Sequence, residues 1–168
     1  ELLSDGTTLT ADGIVNIDSG VGRSETISYL LGSDTGAVNI GANNLEVSNG
    51  GDFEGRITGD DASVVSMGDL ILRGSTQIGA LIVSGGTTTL TGSLDSSLAT
   101  VLPGGTLTLG SAERIADGSN LNVDGILNTN GEETVTSLTA TGTINGEGTV
   151  NALNTDLTGA SVNANLGT

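Results

Sequence analysis

The chain has 168 residues, with 20 acids against 4 bases, all four of them arginine, and a formal net charge of −16. It has no cysteine, histidine or tryptophan, and aromatics are 1% of its residues while aliphatics supply most of the 35% apolar fraction. This composition excludes thiolate, disulfide and histidine chemistry and a core built on rings, and it opposes binding to phosphate backbones or anionic lipid. Short apolar alternations then run along the whole chain. They begin at residues 8–10, 14–17, 27–31, 38–40 and 45–47 and continue at 53–57, 64–67, 70–72, 78–83 and 87–91. The later ones fall at 107–109, 121–123, 126–128, 135–138, 143–145 and 149–153. Each is rich in Val, Ile, Leu and Thr and bounded by Gly, Asn, Asp or Ser, so period-two alternation predicts strands throughout. Only residues 112–116 could make a helical turn, and no apolar stretch approaches the roughly 20 residues of a membrane span.

Two all-β architectures compete. Asp5-Gly6, Asp12-Gly13, Asn49-Gly50, Asp117-Gly118, Asp124-Gly125 and Asn145-Gly146 are hairpin dipeptides and would suit a sandwich or barrel. Sandwiches, however, usually centre on large aromatics. Internal repetition favours a solenoid. Residues 4–16 return as residues 116–128, with Asp5 and Asp117, Leu9 and Leu121, and Asp12 and Asp124 each 112 apart. Glu25-Thr26-Ile27 returns as Glu133-Thr134-Val135 at a spacing of 108. A unit of about 110 residues, present in about one and a half copies, implies stacked rungs. Rungs of roughly 20–25 residues predict seven or eight of them in one segment spanning residues 1–168. The fold expected is a right-handed parallel β-helix.

Residues 38–94 carry a recognisable motif set. It comprises Asp52-Phe53-Glu54-Gly55-Arg56-Ile57-Thr58-Gly59, then Val64-Val65, Gly68-Asp69-Leu70-Ile71-Leu72-Arg73-Gly74 and Val83-Ser84-Gly85-Gly86-Thr87. This pattern resembles the β-strand repeat associated with autotransporter passenger domains. The resemblance implies a parallel β-helix within a secreted or surface-displayed bacterial protein, usually structural or adhesive. The outer-membrane barrel that defines a true autotransporter is not in this sequence. The chain begins at Glu1 with neither methionine nor a signal peptide, which reads as a mature, excised or recombinant form.

Candidate chemistry is sparse. Asp60-Asp61 and Glu132-Glu133 are carboxylate pairs, but neighbours on a strand point to opposite faces, so neither forms a two-carboxylate site by spacing alone. No catalytic residue and no cofactor is assigned, and the chain reads as a non-enzyme. Its acids on Gly-rich turns allow loosely bound calcium, although Gly85-Gly86-Thr87 lacks the aspartate of calcium-binding β-rolls. Thr87-Thr88-Thr89, Thr106-Leu107-Thr108 and Thr139-Ala140-Thr141 raise a hydroxyl array, but Thr87, Thr106 and Thr139 are irregularly spaced. Arg23, Arg56, Arg73 and Arg114 are expected to pair with neighbouring acids, and Phe53 and Tyr29 to be core or cap residues. The expected role is a stalk or self-stacking filament module at the bacterial surface, its partners neighbouring repeats or identical subunits. A ligand-binding adhesin region, with host or cell-surface glycans among the candidate partners, is the alternative, and a carbohydrate-active β-helix enzyme is the third reading.

Overall fold

A computed structural model describes residues 2–17 and 22–167, without the side chain of Asp60. Its first strands are β1 (Thr8–Thr10), β2 (Ile14–Asn16), β3 (Ser24–Gly32), β4 (Ala37–Asn39), β5 (Asn44–Phe53) and β6 (Arg56–Ser66). Next come β7 (Asp69–Leu72), β8 (Ser75–Val83), β9 (Gly86–Leu90), β10 (Ser93–Asp95), β11 (Leu98–Val101) and β12 (Gly105–Leu109). The chain ends with β13 (Asn120–Val123), β14 (Ile126–Thr129), β15 (Glu132–Ala140), β16 (Thr143–Asp156) and β17 (Ser161–Gly167).

Every pairing among these strands is parallel, which decides against the sandwich and gives a three-faced β-solenoid of about eight turns. Face A stacks Leu9, Leu30, Gly51, Leu70, Thr88, Leu107, Leu127, Ile144 and Val162 in register. Face B stacks Val15, Val38, Ile57, Thr76, Leu94 and Ile115, then Glu133, Val150 and Leu166. Face C stacks Glu25, Leu45, Val64, Leu81, Ala99, Leu121 and Leu138. Successive face A positions are 17 to 21 residues apart, so the rungs are shorter than the 20–25 expected. Eight steps at about 4.8 Å give a column of about 38 Å.

Rungs this short are possible because two of the three corners are closed by stacked glycines. At the A–B corner a Cβ on Gly74 would lie 2.0 Å from Gly55 O, and one on Gly92 would lie 1.8 Å from Gly74 O. The C–A corner repeats the device: a Cβ on Gly142 would lie 2.1 Å from Gly125 O. Backbone packs on backbone there, so a methyl group has nowhere to go. Gly74→Ala should therefore cost about 2 kcal/mol by overpacking, read as a lower urea midpoint. Gly118→Ala meets nothing within 4 Å and should leave the midpoint nearly unchanged.

One buried polar side chain on the ladders lacks a partner among the described residues. Thr88 is fully buried between Leu70 and Leu107, and its Oγ1 has no hydrogen-bond partner. A valine keeps the branched shape and removes the unsatisfied hydroxyl. Thr88→Val is expected to raise stability by about 1 kcal/mol, and a lower midpoint would refute the assignment.

Several boundaries differ from the sequence reading. Residues 53–57 are not one strand: Phe53 closes β5, the chain turns at Gly55, and Arg56 opens β6. The alternation continued across the corner because both flanking side chains, Phe53 and Ile57, point into the core. Residues 112–116 make no helical turn and only the Leu94–Ile115 bridge. β10, β11 and β17 had no assigned counterpart in the sequence.

Candidate functional site

The two copies of the internal repeat share a buried device. Glu25 and Glu133 are each 1% exposed, on positions that aliphatics occupy in neighbouring rungs. Glu25 accepts the backbone N–H groups of Leu2 at 2.6 Å and Leu3 at 2.9 Å. Glu133 accepts those of Arg114 at 2.9 Å and Ile115 at 2.7 Å. Leu2-Leu3 and Arg114-Ile115 are themselves 112 apart, so donor and acceptor recur together. A hydrogen bond from Ser28 N to Thr7 O (2.7 Å) likewise returns from Thr136 N to Ser119 O (2.8 Å). In each copy the donor segment outside a regular strand finds a carboxylate where a neighbouring rung would offer a carbonyl.

The environments tune the two acids oppositely. Burial raises the Glu25 carboxyl, but the N–H groups of Leu3 and Leu2, together with the positive charge of the amino terminus, hold the pKa below its ordinary value. Burial dominates at Glu133 and pushes its carboxyl up to about 7, against the pull of the Arg114 and Ile115 N–H groups; Glu113 adds to the rise. The repeat also changes face: Leu9 lies in the face A column, whereas Leu121 lies in the face C column.

The carboxylate pairs do not form joint sites. Glu133 is buried while adjacent Glu132 is exposed, as alternation requires. Asp61 is exposed on β6, and the side chain of Asp60 lies outside the described residues. The threonines behave differently from their sequence spacing. Thr87 stacks on Thr106 and Thr89 on Thr108 along the outside of face A, whereas Thr139 stands on face C beside Asn122. Rung lengths vary, so sequence spacing alone concealed the pairing of the first two. The flanking face A positions are Asp69 and Ile126, which limits the array to two rungs.

Among the described residues one arginine pairs with an acid: Arg73 grips Asp52 through Nε at 2.6 Å and Nη2 at 2.8 Å. The Arg73 hydrogen bond holds the Asp52 carboxyl below its usual value, against some desolvation. Arg56 donates to Gln77 and Arg114 to the carbonyls of Ala112 and Thr91, which corrects the expectation of acid partners. The Arg114 guanidinium is taken up by the carbonyls of Ala112 at 3.0 Å and Thr91 at 2.9 Å. Phe53 is buried as expected, but Tyr29 is 44% exposed on the outer side of face A, since its neighbour Leu30 takes the inward position.

Three recesses lie along the B–C corner. The B–C corner is built from stretches of unequal length, such as residues 59–62, 78–79 and 96–97, and its surface is correspondingly uneven. A recess of about 360 Å³ is lined by Asn39, Gly41, Ala42, Thr58, Gly59 and Asp61. A second, of about 190 Å³, lies against Gln77, Ile78, Gly79, Asp95, Ser96 and Ser97. A third, of about 400 Å³, is bounded by Glu132, Thr134, Val135, Asn151, Ala152 and Leu153. Each contains one described carboxylate, whereas glycoside hydrolysis ordinarily uses two. No group of three potential metal ligands occurs among the described residues.

No family model, curated protein or solved structure matches this chain. The motif residues noted in the sequence nevertheless have a common physical use. Gly55, Gly74, Gly68 and Gly86 all occupy the two tightly stacked corners.

Proposed function

We propose that this chain is a structural segment of a bacterial extracellular surface protein, acting as a stalk or self-stacking filament module. The observation behind this reading is a parallel stack running from β1 to β17 whose terminal strands pair on one side: among the described residues β1 pairs only with β3, and β17 only with β16. A strand edge carries unpaired N–H and C=O groups and recruits another strand or rung. The charge of −16 works against lateral clustering, leaving end-to-end contact as the favoured geometry. The motif resemblance to autotransporter passenger repeats supports the surface setting. Electron microscopy across a concentration series tests the reading. Rods that lengthen with concentration are expected, and compact particles of one size at every concentration would sink the self-stacking form. A ligand-binding adhesin region is the second reading, favoured by the recesses along the B–C corner.

A further inference from the structure

We propose that the B–C corner is a lengthwise binding groove for an extended, neutral glycan chain. The three recesses share one outward-facing column of face B. In register it runs Asn39, Thr58, Gln77, Asp95, and it resumes lower down with Thr134 and Asn151. Every one of these six side chains is an amide, a hydroxyl or a carboxylate. That is the set of groups that reads vicinal sugar hydroxyls, each of which both donates and accepts.

The column runs along the solenoid axis, across the strands. From Asn39 to Asn151 it descends six rungs, about 29 Å at about 4.8 Å per rung. A linear polymer lying along it would meet a polar group at every rung except the one that carries Ala116. The larger two recesses reach the lower range of volumes that hold small ligands. Apolar floor comes from Ile78 in one recess and from Val135, Ala152 and Leu153 in another, offering contact to the C–H faces of a sugar ring. Leu153 is 85% exposed, an isolated apolar side chain with no internal packing role.

Two features narrow the ligand. The backbone along this column is consumed by the inter-rung ladders, so an extended peptide cannot add as a strand and recognition falls to side chains. Asp61, Asp95 and Glu132 each border a recess in a chain of net charge −16, which repels uronates, sulfated glycans and other polyanions. Existing contacts also orient the readers. Asn39 Oδ1 accepts the Gly41 N–H at 3.1 Å, which leaves its Nδ2 hydrogens to a ligand. Gln77 Oε1 accepts from Arg56 at 2.9 Å, while its Nε2 reaches Asp95 only at 3.5 Å, a bond a sugar hydroxyl would readily replace.

The test is a titration of the whole chain with neutral linear oligosaccharides (β-glucan, α-glucan and chitin fragments), followed by amide NMR shifts. At least one series is expected to bind with a Kd of about 1 mM or tighter, shifting residues 39–42, 58–61, 77–79 and 95–97. Raising salt from ~0.05 to ~0.5 M should leave that affinity unchanged. The double variant Gln77→Ala/Asp95→Ala should weaken it about tenfold, the loss of roughly one net hydrogen bond. Thr87→Ala on face A should not change it. No binding by any neutral series overturns the proposal. So does tighter binding of polygalacturonate, or a peptide that shifts these residues where no glycan does. These outcomes are independent of whether rods form.

Discussion

Phe53→Ala is expected to cost about 4 kcal/mol, the largest loss from any single truncation in this core. Phe53 is the only phenylalanine, and it is 1% exposed. Its ring fills space that its neighbours leave vacant. A Cβ on Gly32 would lie 2.7 Å from the ring Cε2, and one on Gly55 would lie 2.7 Å from Cζ. Gly32 is its direct register partner above, and Leu72 is the partner below. Gly51, two residues earlier, adds no side chain to the adjacent column. Truncation would thus open a void bordered partly by glycine, where no flexible side chain can swing in, and the cavity penalty should be near its upper range. Phe53→Leu keeps much of the volume and should cost about 1–2 kcal/mol. Urea unfolding of both variants checks this. A loss below about 1 kcal/mol for the alanine variant would mean the rungs collapse around the gap. A fall in the slope of the transition would show that the rungs above and below Phe53 had ceased to unfold together.

The fold was legible in the sequence because its dominant signal is local. Alternations at residues 70–72 or 121–123 translate directly into strands whose first and third residues are inward, and few aromatics with many short strands leave only a narrow aliphatic core. Corner positions were less legible. Phe53 and Ile57 are both inward on opposite sides of a turn, so the pattern passes through the turn unbroken. Which threonines stack depends on rung lengths that vary with each corner, and no local pattern encodes a sum of corner lengths. The recesses were invisible for the same reason: Asn39, Thr58, Gln77 and Asp95 become neighbours only through register. The recurrence of Glu25 as Glu133 was visible as a repeat, but not as a buried hydrogen-bond acceptor. Acids in Gly-rich sequence ordinarily face water, and only the lack of a regular strand at residues 110–114 explains an acid on an inward position.

Glu133 should make the stability of this chain fall as pH rises through the range in which most proteins are steadiest. Its carboxyl titrates near 4.5 when the chain is unfolded and at about 7 when buried in the fold. Between those values the folded state holds a proton that the unfolded state has released. The stabilisation linked to that proton is fully present below about pH 4.5 and is lost as pH rises to about 7. Its size is at most about 3.5 kcal/mol, the full shift converted at about 1.4 kcal/mol per unit. Self-repulsion among the surface acids slopes the same way, so the difference between the native chain and Glu133→Gln isolates the residue. The glutamine has no proton to exchange and should flatten the stability difference between pH 5 and pH 8 by about 2 kcal/mol. A slope unchanged by the substitution would show that Glu133 is ionised in the fold throughout. Glu133→Ala goes further, because it leaves the Arg114 and Ile115 N–H groups without an acceptor at every pH. One buried and one part-buried donor at about 1–3 kcal/mol each, with some relief by water at Arg114, put the loss at about 3 kcal/mol. Glu133→Gln keeps one acceptor oxygen for Ile115 but turns an NH2 group toward Arg114 N–H, so its loss should be smaller than that of the alanine. That ordering, alanine worse than glutamine and both worse than native, is what a carboxylate standing in for a missing strand requires.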